Sequence, residues 1–360
     1  MTLAPVSVPA SVPAASDPAP GRTRVALAGF GAWGLMHARA IRAIDGAEVV
    51  AVLARSEAAC EQARAEVPGA AIHRDLDALL AAPGIDAVNV LLPNHLHAHA
   101  AIRALEAGMH VFLEKPLGLS LAECDAVAAA AARSGRQLVV NHELRVSRQW
   151  GAVRDTIAAG GLGAIRHQHL SLFRRPFRPG AGGWRHDPAR VGSWVLEELV
   201  HFVDLILWYA EAKGLPSRVA AHGGDWAPGS LSDHFTLILE WDDGATAVLN
   251  QCLGGFEHHT VLEVAGTAGA LRTWWSGTMD RTLTPGFEMK RRLGDGEVET
   301  VAIPLSGEVF ELEEHLRRAY HGFRTGRSVM SCVMARPSIA ICLAAERAWR
   351  EGRAIVPDFG

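Results

Sequence analysis

Between Arg22 and Asn141 short apolar runs alternate with longer stretches in which apolar residues recur at helical spacing. The runs Arg24 to Ala28, Glu48 to Leu53, Asp86 to Leu92, His110 to Leu113 and Gln137 to Val140 are read as strands, and the stretches between them as helices. One of these helices carries its own punctuation: Ser120 and Glu123 make a capping box, an alanine-rich middle follows, and Gly135 is the stop signal. Strands and helices in such alternation predict a parallel sheet with helices on both faces, and ligands of such sheets lie beyond the carboxyl ends of the strands. Gly29, Arg55, Pro93, Asn94 and the tripeptide Glu114-Lys115-Pro116 fall at such ends, so they are expected to converge on one crevice.

After a helix at Ser147 to Ala159 the rhythm changes. The segments Ala164 to Phe173, Arg218 to His222, His234 to Trp241, Ala245 to Cys252 and Thr260 to Ala265 read as strands separated by turns such as Asp242-Asp243-Gly244, with one long helix near Ser193 to Tyr209. This predicts an α+β domain built on a large, mostly antiparallel sheet. Helices at Glu311 to Arg324 and Ser338 to Arg350 follow, and no internal repeat is visible.

The first strand runs straight into Gly29-Phe30-Gly31-Ala32-Trp33-Gly34, the glycine fingerprint of a dinucleotide-binding βαβ unit. Gly29 allows the tight turn, Gly31 lets backbone approach a pyrophosphate, and Gly34 lets the helix pack closely on the sheet. The helix N-terminus then offers unpaired N–H groups to phosphate. The second strand ends in Ala54-Arg55-Ser56, where an NAD site usually holds an acid for the ribose 2′-OH. An arginine there suits a 2′-phosphate, so NADP is the expected cofactor, with NAD the alternative.

The whole is expected to be an α/β protein with a Rossmann domain over residues 22–141, a substrate and oligomerisation domain of open-faced sheet over residues 142–335, and a C-terminal helix and tail over 336–360. Residues 1–21, rich in Ala, Pro, Ser and Val, read as a disordered tail without the charged start of a secretory signal. A chain of 360 residues, 49% hydrophobic and 21% charged, has the balance of an ordinary globular protein. Its formal net charge of -4 gives no reason to expect nucleic acid or an anionic membrane as partner. Cys60, Cys124, Cys252, Cys332 and Cys342 contain no CxxC pair, which suggests reduced thiols in a cytoplasmic protein rather than a disulfide or zinc framework. The apolar stretch Trp194 to Ala210 carries Glu197, Glu198, His201 and Asp204, which a membrane span would not.

These residues together resemble the Gfo/Idh/MocA oxidoreductases. The resemblance runs from about Arg22 to Pro357 and rests on the loop Gly29 to Gly34, Leu92-Pro93-Asn94 with His97, Ala107-Gly108 before Glu114-Lys115-Pro116, and Gly266-Thr267-Ala268-Gly269. It implies NAD or NADP as cofactor, hydride transfer at a hydroxyl-bearing carbon of a sugar, sugar acid or cyclitol, and association of copies through the sheet face. It also implies that Lys115 contacts substrate and nicotinamide ribose, that Pro93 and Asn94 line that ribose, and that an Asp-x-x-x-His pair supplies the acid/base group. Here His201 matches the histidine, and Glu197 stands in the aspartate's place.

Read from chemistry alone, Lys115 is an ammonium at a strand end, able to polarise a hydroxyl toward the alkoxide, or else a surface lysine paired with Glu114. Positions i and i+4 would put Glu197 and His201 on one helix face, where the carboxylate would fix the imidazole tautomer and raise its pKa. The plainer reading is a core histidine. A metal site on that helix lacks the second histidine of a zinc motif, and no metal is expected. His95, His97 and His99 are expected to be split by the helix rather than to form a ligand set. Arg174, Arg175, Arg178 and Arg185, with Trp184 and His186, sit in a Gly/Pro-rich loop that is either an anion clamp over substrate or a solvated or subunit-contacting loop. Trp33 and Trp194 are candidates to wall the pocket. Two rivals to a dehydrogenase stand: a lyase or glycosidase using bound NAD for transient oxidation, and a non-catalytic nucleotide sensor.

Overall fold

The computed structural model describes residues 21–225 and 231–360; the expected tail, Gly21 apart, lies outside the described residues. In the first half, β1 (Thr23–Ala28), α1 (Ala32–Arg42), β2 (Ala47–Leu53), α2 (Glu57–Glu66), β3 (Ala71–His73), α3 (Leu76–Leu80), β4 (Ala87–Val90), α4 (His97–Glu106), β5 (His110–Leu113), α5 (Leu121–Ser134) and β6 (Leu138–Val140) alternate as the pattern predicts. The strands form one parallel sheet of order β3-β2-β1-β4-β5-β6. Val25 to Ala28 and Val111 to Leu113 are fully buried, which is why these strands read as unbroken apolar runs. The order reverses between β1 and β4, and a ligand crevice opens at such a switch. Ser120 Oγ accepts from Glu123 N at 3.2 Å, and Gly135, at φ 66°, ends α5 in the left-handed conformation. The Glu123 carboxylate accepts instead from Leu119 N, one residue upstream of a strict capping box.

The second half contains α6 (Arg148–Ala158), β7 (Ile165–Phe173), α7 (Pro188–Val191), a π-helical turn (Val195–Leu199) leading into α8 (Val200–Tyr209), then β8 (Arg218–Gly224), β9 (His234–Glu240), β10 (Thr246–Cys252), β11 (His258–Gly266), β12 (Gly269–Gly277), β13 (Gly286–Leu293) and β14 (Glu299–Val301). They build an eight-stranded sheet, β14-β13-β12-β11-β7-β10-β9-β8, antiparallel at every pair except β7 with β10. Strands β12 to β14 extend the sheet beyond the segments the sequence pattern picks out. In β12 only Leu271, Thr273 and Trp275 are buried, and β13 carries Glu288, Lys290, Arg291 and Arg292, so neither reads as an apolar run. The tight β11–β12 turn explains two glycines: a Cβ on Gly266 would lie 2.1 Å from Leu162 O, and one on Gly269 would lie 2.6 Å from Arg292 O.

Two final helices, α9 (Glu308–Thr325) and α10 (Cys332–Glu351), start earlier than the pattern predicts, and α10 takes Pro337 into its second turn. Helix α9 packs on α1, and α10 on β8, α8 and α5, so the end of the chain joins the two sheets. A buried polar chain reinforces this junction. The Glu114 carboxylate accepts from His37 Nε2 at 2.9 Å and Asn141 Nδ2 at 2.8 Å. Asn89 Nδ2 donates to His37 Nδ1 at 3.0 Å and to Tyr320 Oη at 2.8 Å, while His315 Nδ1 donates to Asn141 Oδ1 at 2.9 Å. Because the Asn89 amide nitrogen can only donate, His37 Nδ1 accepts from it while Nε2 donates to Glu114. No helix among the described residues is long and apolar enough to cross a membrane, and all five cysteines are free thiols.

Candidate active site

The turn from β1 into α1 is shaped for a phosphate. Gly29 holds φ 120°, and a Cβ there would meet Leu91 O at 2.7 Å; a Cβ on Gly34 would meet Gly29 O at 2.4 Å. Above Gly31 a Cβ would meet no protein atom within 4 Å, so the space in front of the loop is open. Gly31 is also the N-cap of α1, with no side chain bonded to the first turn and no acid in it. Its unpaired N–H groups therefore face outward as a ready anion cradle, which fits a dinucleotide pyrophosphate. Phe30 is buried under the loop, Ala32 is exposed, and Trp33 leans toward the cleft with the Arg281 guanidinium 5.3 Å from its ring centre. Arg55 is exposed at the end of β2, and Arg74 Nη1 donates to its carbonyl at 2.7 Å.

Lys115 stands at the end of β5. Its Nζ donates to the Glu197 carbonyl, tying the parallel sheet to the π-helical turn of the second domain. Burial opposes its charge, but Glu197, Glu198 and Glu114 outweigh burial and hold its pKa above the ordinary lysine value. It is a firm cation and not a base. Glu114 turns inward into the chain through His37 and Asn141, away from any ligand, and so fixes the strand end that carries Lys115. Asn94 is likewise buried; its Nδ2 donates to Val191 O at 3.0 Å and Glu197 Oε2 at 2.9 Å. The ring of His97 bridges the two strand-end loops, 2.8 Å from Pro116 O and 2.7 Å from Leu92 O, whereas His99 is exposed.

The expected pairing of Glu197 with His201 does not form. The π-helical turn places an extra residue in the coil, so i and i+4 no longer share a face. Glu197 Oε1 accepts from Arg185 Nε at 2.7 Å and Oε2 from Asn94. Burial would raise its pKa, but Lys115, Arg185 and the Asn94 bond bring it below the usual value, leaving an anion. His201 faces Glu143 instead, with Nδ1 3.8 Å from Glu143 Oε2. Its pKa is lowered well below the ordinary histidine value, first by burial and then by Lys115, where a carboxylate partner would have raised it. The imidazole is neutral.

Two neighbouring spaces result. The outer cleft, about 170 Å³, is lined by Trp33, Lys115, Arg178, Arg185, Glu197 and Arg281, among others. The inner pocket contains His201 and shares Glu198, His258, Asp280 and Glu308 with the cleft. Trp184 and Trp194 line neither: Trp184 lies under Arg185, 4.8 Å from its guanidinium, and Trp194 Nε1 donates to Arg185 O at 2.8 Å. They brace the loop that carries Arg185. Arg174 is spent internally, with Nη1 2.6 Å from Glu198 Oε1 and Nη2 3.6 Å from Asp280 Oδ2. Glu143, His258, Trp275 and Glu308 are residues that sequence reasoning missed. Glu143 follows β6, so the strand-end rule reaches it; the other three come from the second sheet and α9 and carry no local signal.

Residues 23–142 match the model of an oxidoreductase family with an NAD-binding Rossmann fold, GFO_IDH_MocA, and residues 150–272 match the GFO/IDH/MocA C-terminal domain. The chain is 29% identical over 215 residues to the 1-carboxy-3-chloro-3,4-dihydroxycyclohexa-1,5-diene dehydrogenase of Comamonas testosteroni, covering 58% of this chain and 52% of that protein. It thus spans about half the length of that relative. It is 30% identical over 280 residues to a putative UDP-kanosamine synthase oxidoreductase subunit of Amycolatopsis mediterranei, covering 72% of this chain and 76% of that one. The fold is shared with aldose-aldose oxidoreductase from Caulobacter crescentus at TM-score 0.79 and 21% identity, over 93% of this chain and 99% of that chain. With both domains matched and the glycine cradle and Lys115 in place at the strand ends, the chain belongs to the Gfo/Idh/MocA oxidoreductase family.

Proposed function

We propose that this protein is an NAD(P)-dependent dehydrogenase or reductase that transfers hydride at a hydroxyl-bearing carbon, or its ketone, of a sugar, sugar acid or cyclitol-like substrate. One observation carries the reading: the cleft lined by Trp33 of the glycine loop and by Lys115 borders the pocket of His201, the two sharing Glu198, His258, Asp280 and Glu308. A dinucleotide held by the Gly29 to Gly34 cradle would supply the hydride acceptor or donor. Lys115, kept cationic by three carboxylates, would bind the reacting oxygen and stabilise the alkoxide. Neutral His201 would take the hydroxyl proton in the oxidative direction and return it in reduction. Arg185, fixed by Glu197, would orient the substrate at the cleft wall. The relatives named for a dihydroxylated ring and for UDP-kanosamine synthesis support a polyhydroxylated substrate. Arg55, just past the end of β2, supports a preference for NADP, while Arg74 beside it is paired with Glu57.

The test is a panel of sugars, sugar acids, cyclitols and their keto forms, screened with both cofactors for a change in reduced-nicotinamide absorbance. Turnover with a stoichiometric change is the expected result. Product formed with flat absorbance would instead identify transient oxidation on a retained cofactor, and binding without turnover a sensor.

A further inference from the structure

Behind the Lys115 cleft lies an inner pocket of about 60 Å³, room for one small polar group of a ligand. Five carboxyl side chains line it, from Glu143, Glu198, Asp280, Glu308 and Glu311, and no lysine or arginine does. Three of the five are already matched. Arg174, from the side of the outer cleft, pairs with Glu198 and Asp280, and Glu311 Oε1 accepts from Gly307 N at 3.2 Å and Ser306 Oγ at 3.4 Å. Glu143 and Glu308 are left, each with a buried Oε2 that has no hydrogen-bond partner. His201 Nδ1, His258 Nδ1 and Trp275 Nε1 are buried around the same space and equally unpartnered.

We infer that this pocket receives a protonated amine of the substrate, with Glu143 and Glu308 as its counter-ions, so that the substrate is an amine-bearing polyol. The inference rests on the hydride-transfer reading of the Lys115 cleft and specifies its substrate class. A hydroxyl would satisfy an unpaired oxygen as a hydrogen-bond donor, but it would leave Glu143 and Glu308 protonated in a pocket whose lining holds no lysine or arginine. An ammonium brings three donors and the missing charge together. Burial first, and neighbouring carboxylates next, push both Glu143 and Glu308 well above the ordinary carboxyl value, with Lys115 opposing only in part at Glu143 and Arg281 at Glu308. Among the described residues no group of three or more His, Cys, Asp or Glu is arranged to hold a metal ion. Trp275 Nε1, which can only donate, is placed to hold a hydroxyl or ring oxygen of the same molecule.

The experiment uses matched pairs of aminodeoxy and parent compounds across sugars and cyclitols, measured by kcat/KM with both cofactors and by calorimetric binding to the cofactor-loaded enzyme. At least one amine is expected to exceed its hydroxyl parent by about tenfold or more, about 1.4 kcal/mol. Glu308→Gln, at a partly exposed helix terminus, should reduce that amine-to-hydroxyl ratio about tenfold, and Glu143→Gln should do the same, with thermal unfolding confirming the fold of each. If no amine surpasses its parent, or if the ratio survives both substitutions, the inference is overturned. Hydride transfer from hydroxyl parents without amine preference would overturn it while leaving the reading of the cleft intact. Amine binding that depends on Glu308, with no hydride transfer from any compound, would support it and remove the cleft's assigned chemistry.

Discussion

Replacing Lys115 by methionine keeps the unbranched stem, one atom shorter, and removes the charge, and the structure says what should follow. The glycine cradle lies on another strand, and Glu197 retains Arg185 at 2.7 Å and Asn94 at 2.9 Å, so the site should keep its shape. What is lost is the ammonium facing a developing alkoxide in a partly buried cleft. Removing one such preorganised donor costs about 2.7–4 kcal/mol of transition-state stabilisation, so kcat should fall by at least ~100-fold. A second effect distinguishes this from general damage. After burial, the Lys115 charge is the largest influence lowering the His201 pKa. Alcohol oxidation needs neutral imidazole, so the rate rises with pH through that pKa. In the wild type this limb lies below the ordinary histidine range, and in Lys115→Met it should move to higher pH. The assay is steady-state oxidation followed by reduced-nicotinamide absorbance from about pH 4 to 9, with cofactor affinity measured separately by fluorescence. A near-normal kcat, a loss confined to KM, or an acid limb that stays where it was would refute the assignment of Lys115 as the cation that serves both oxygen and histidine.

Arg55→Ala should lower kcat/KM for NADP about tenfold or more and leave NAD nearly unchanged, since about 1.4 kcal/mol is a modest value for a guanidinium–phosphate contact; equal use of both cofactors before and after the change would remove Arg55 from the site. Glu197→Asp withdraws the carboxylate by one methylene from Asn94 and Arg185, and kcat/KM should fall roughly tenfold without shifting the His201 limb. A shift of that limb would show that Glu197 does govern the histidine. Asn89→Leu leaves His37 Nδ1 and the Tyr320 hydroxyl without their partner, and should cost about 1–3 kcal/mol in urea unfolding, or roughly 2–4 °C in Tm per kcal/mol; unchanged stability would mean that the buried chain does not join the sheet to α9.

What could be read from the chain was what is local. The parallel sheet announced itself through fully buried strands such as Val25 to Ala28, and the cradle through glycines whose necessity is steric over a few residues: Gly34 has no room for a Cβ because Gly29 O is in the way. Lys115 was legible because a strand end fixes both its place and its direction. The register of the long apolar helix was not, because the sequence carries no mark of the π-helical turn at Val195–Leu199, and that one turn reassigns Glu197 to Arg185 and gives His201 to Glu143. Arg174 could be seen as one of several loop arginines, but not that Glu198 and Asp280 would consume its charge.

The sequence by itself determined the two-domain plan, the anion cradle and the cation at the strand end, since each follows from periodicity or from sterics between near neighbours. The tertiary structure alone decided which charges meet and which are left over. Glu143, His201, His258 and Glu308 come from β6's end, α8, β11 and α9, and their pKa values are set by burial and by neighbours that the chain brings together across more than a hundred residues. Coulomb energy and desolvation depend on distance and dielectric, and neither is written in the order of residues.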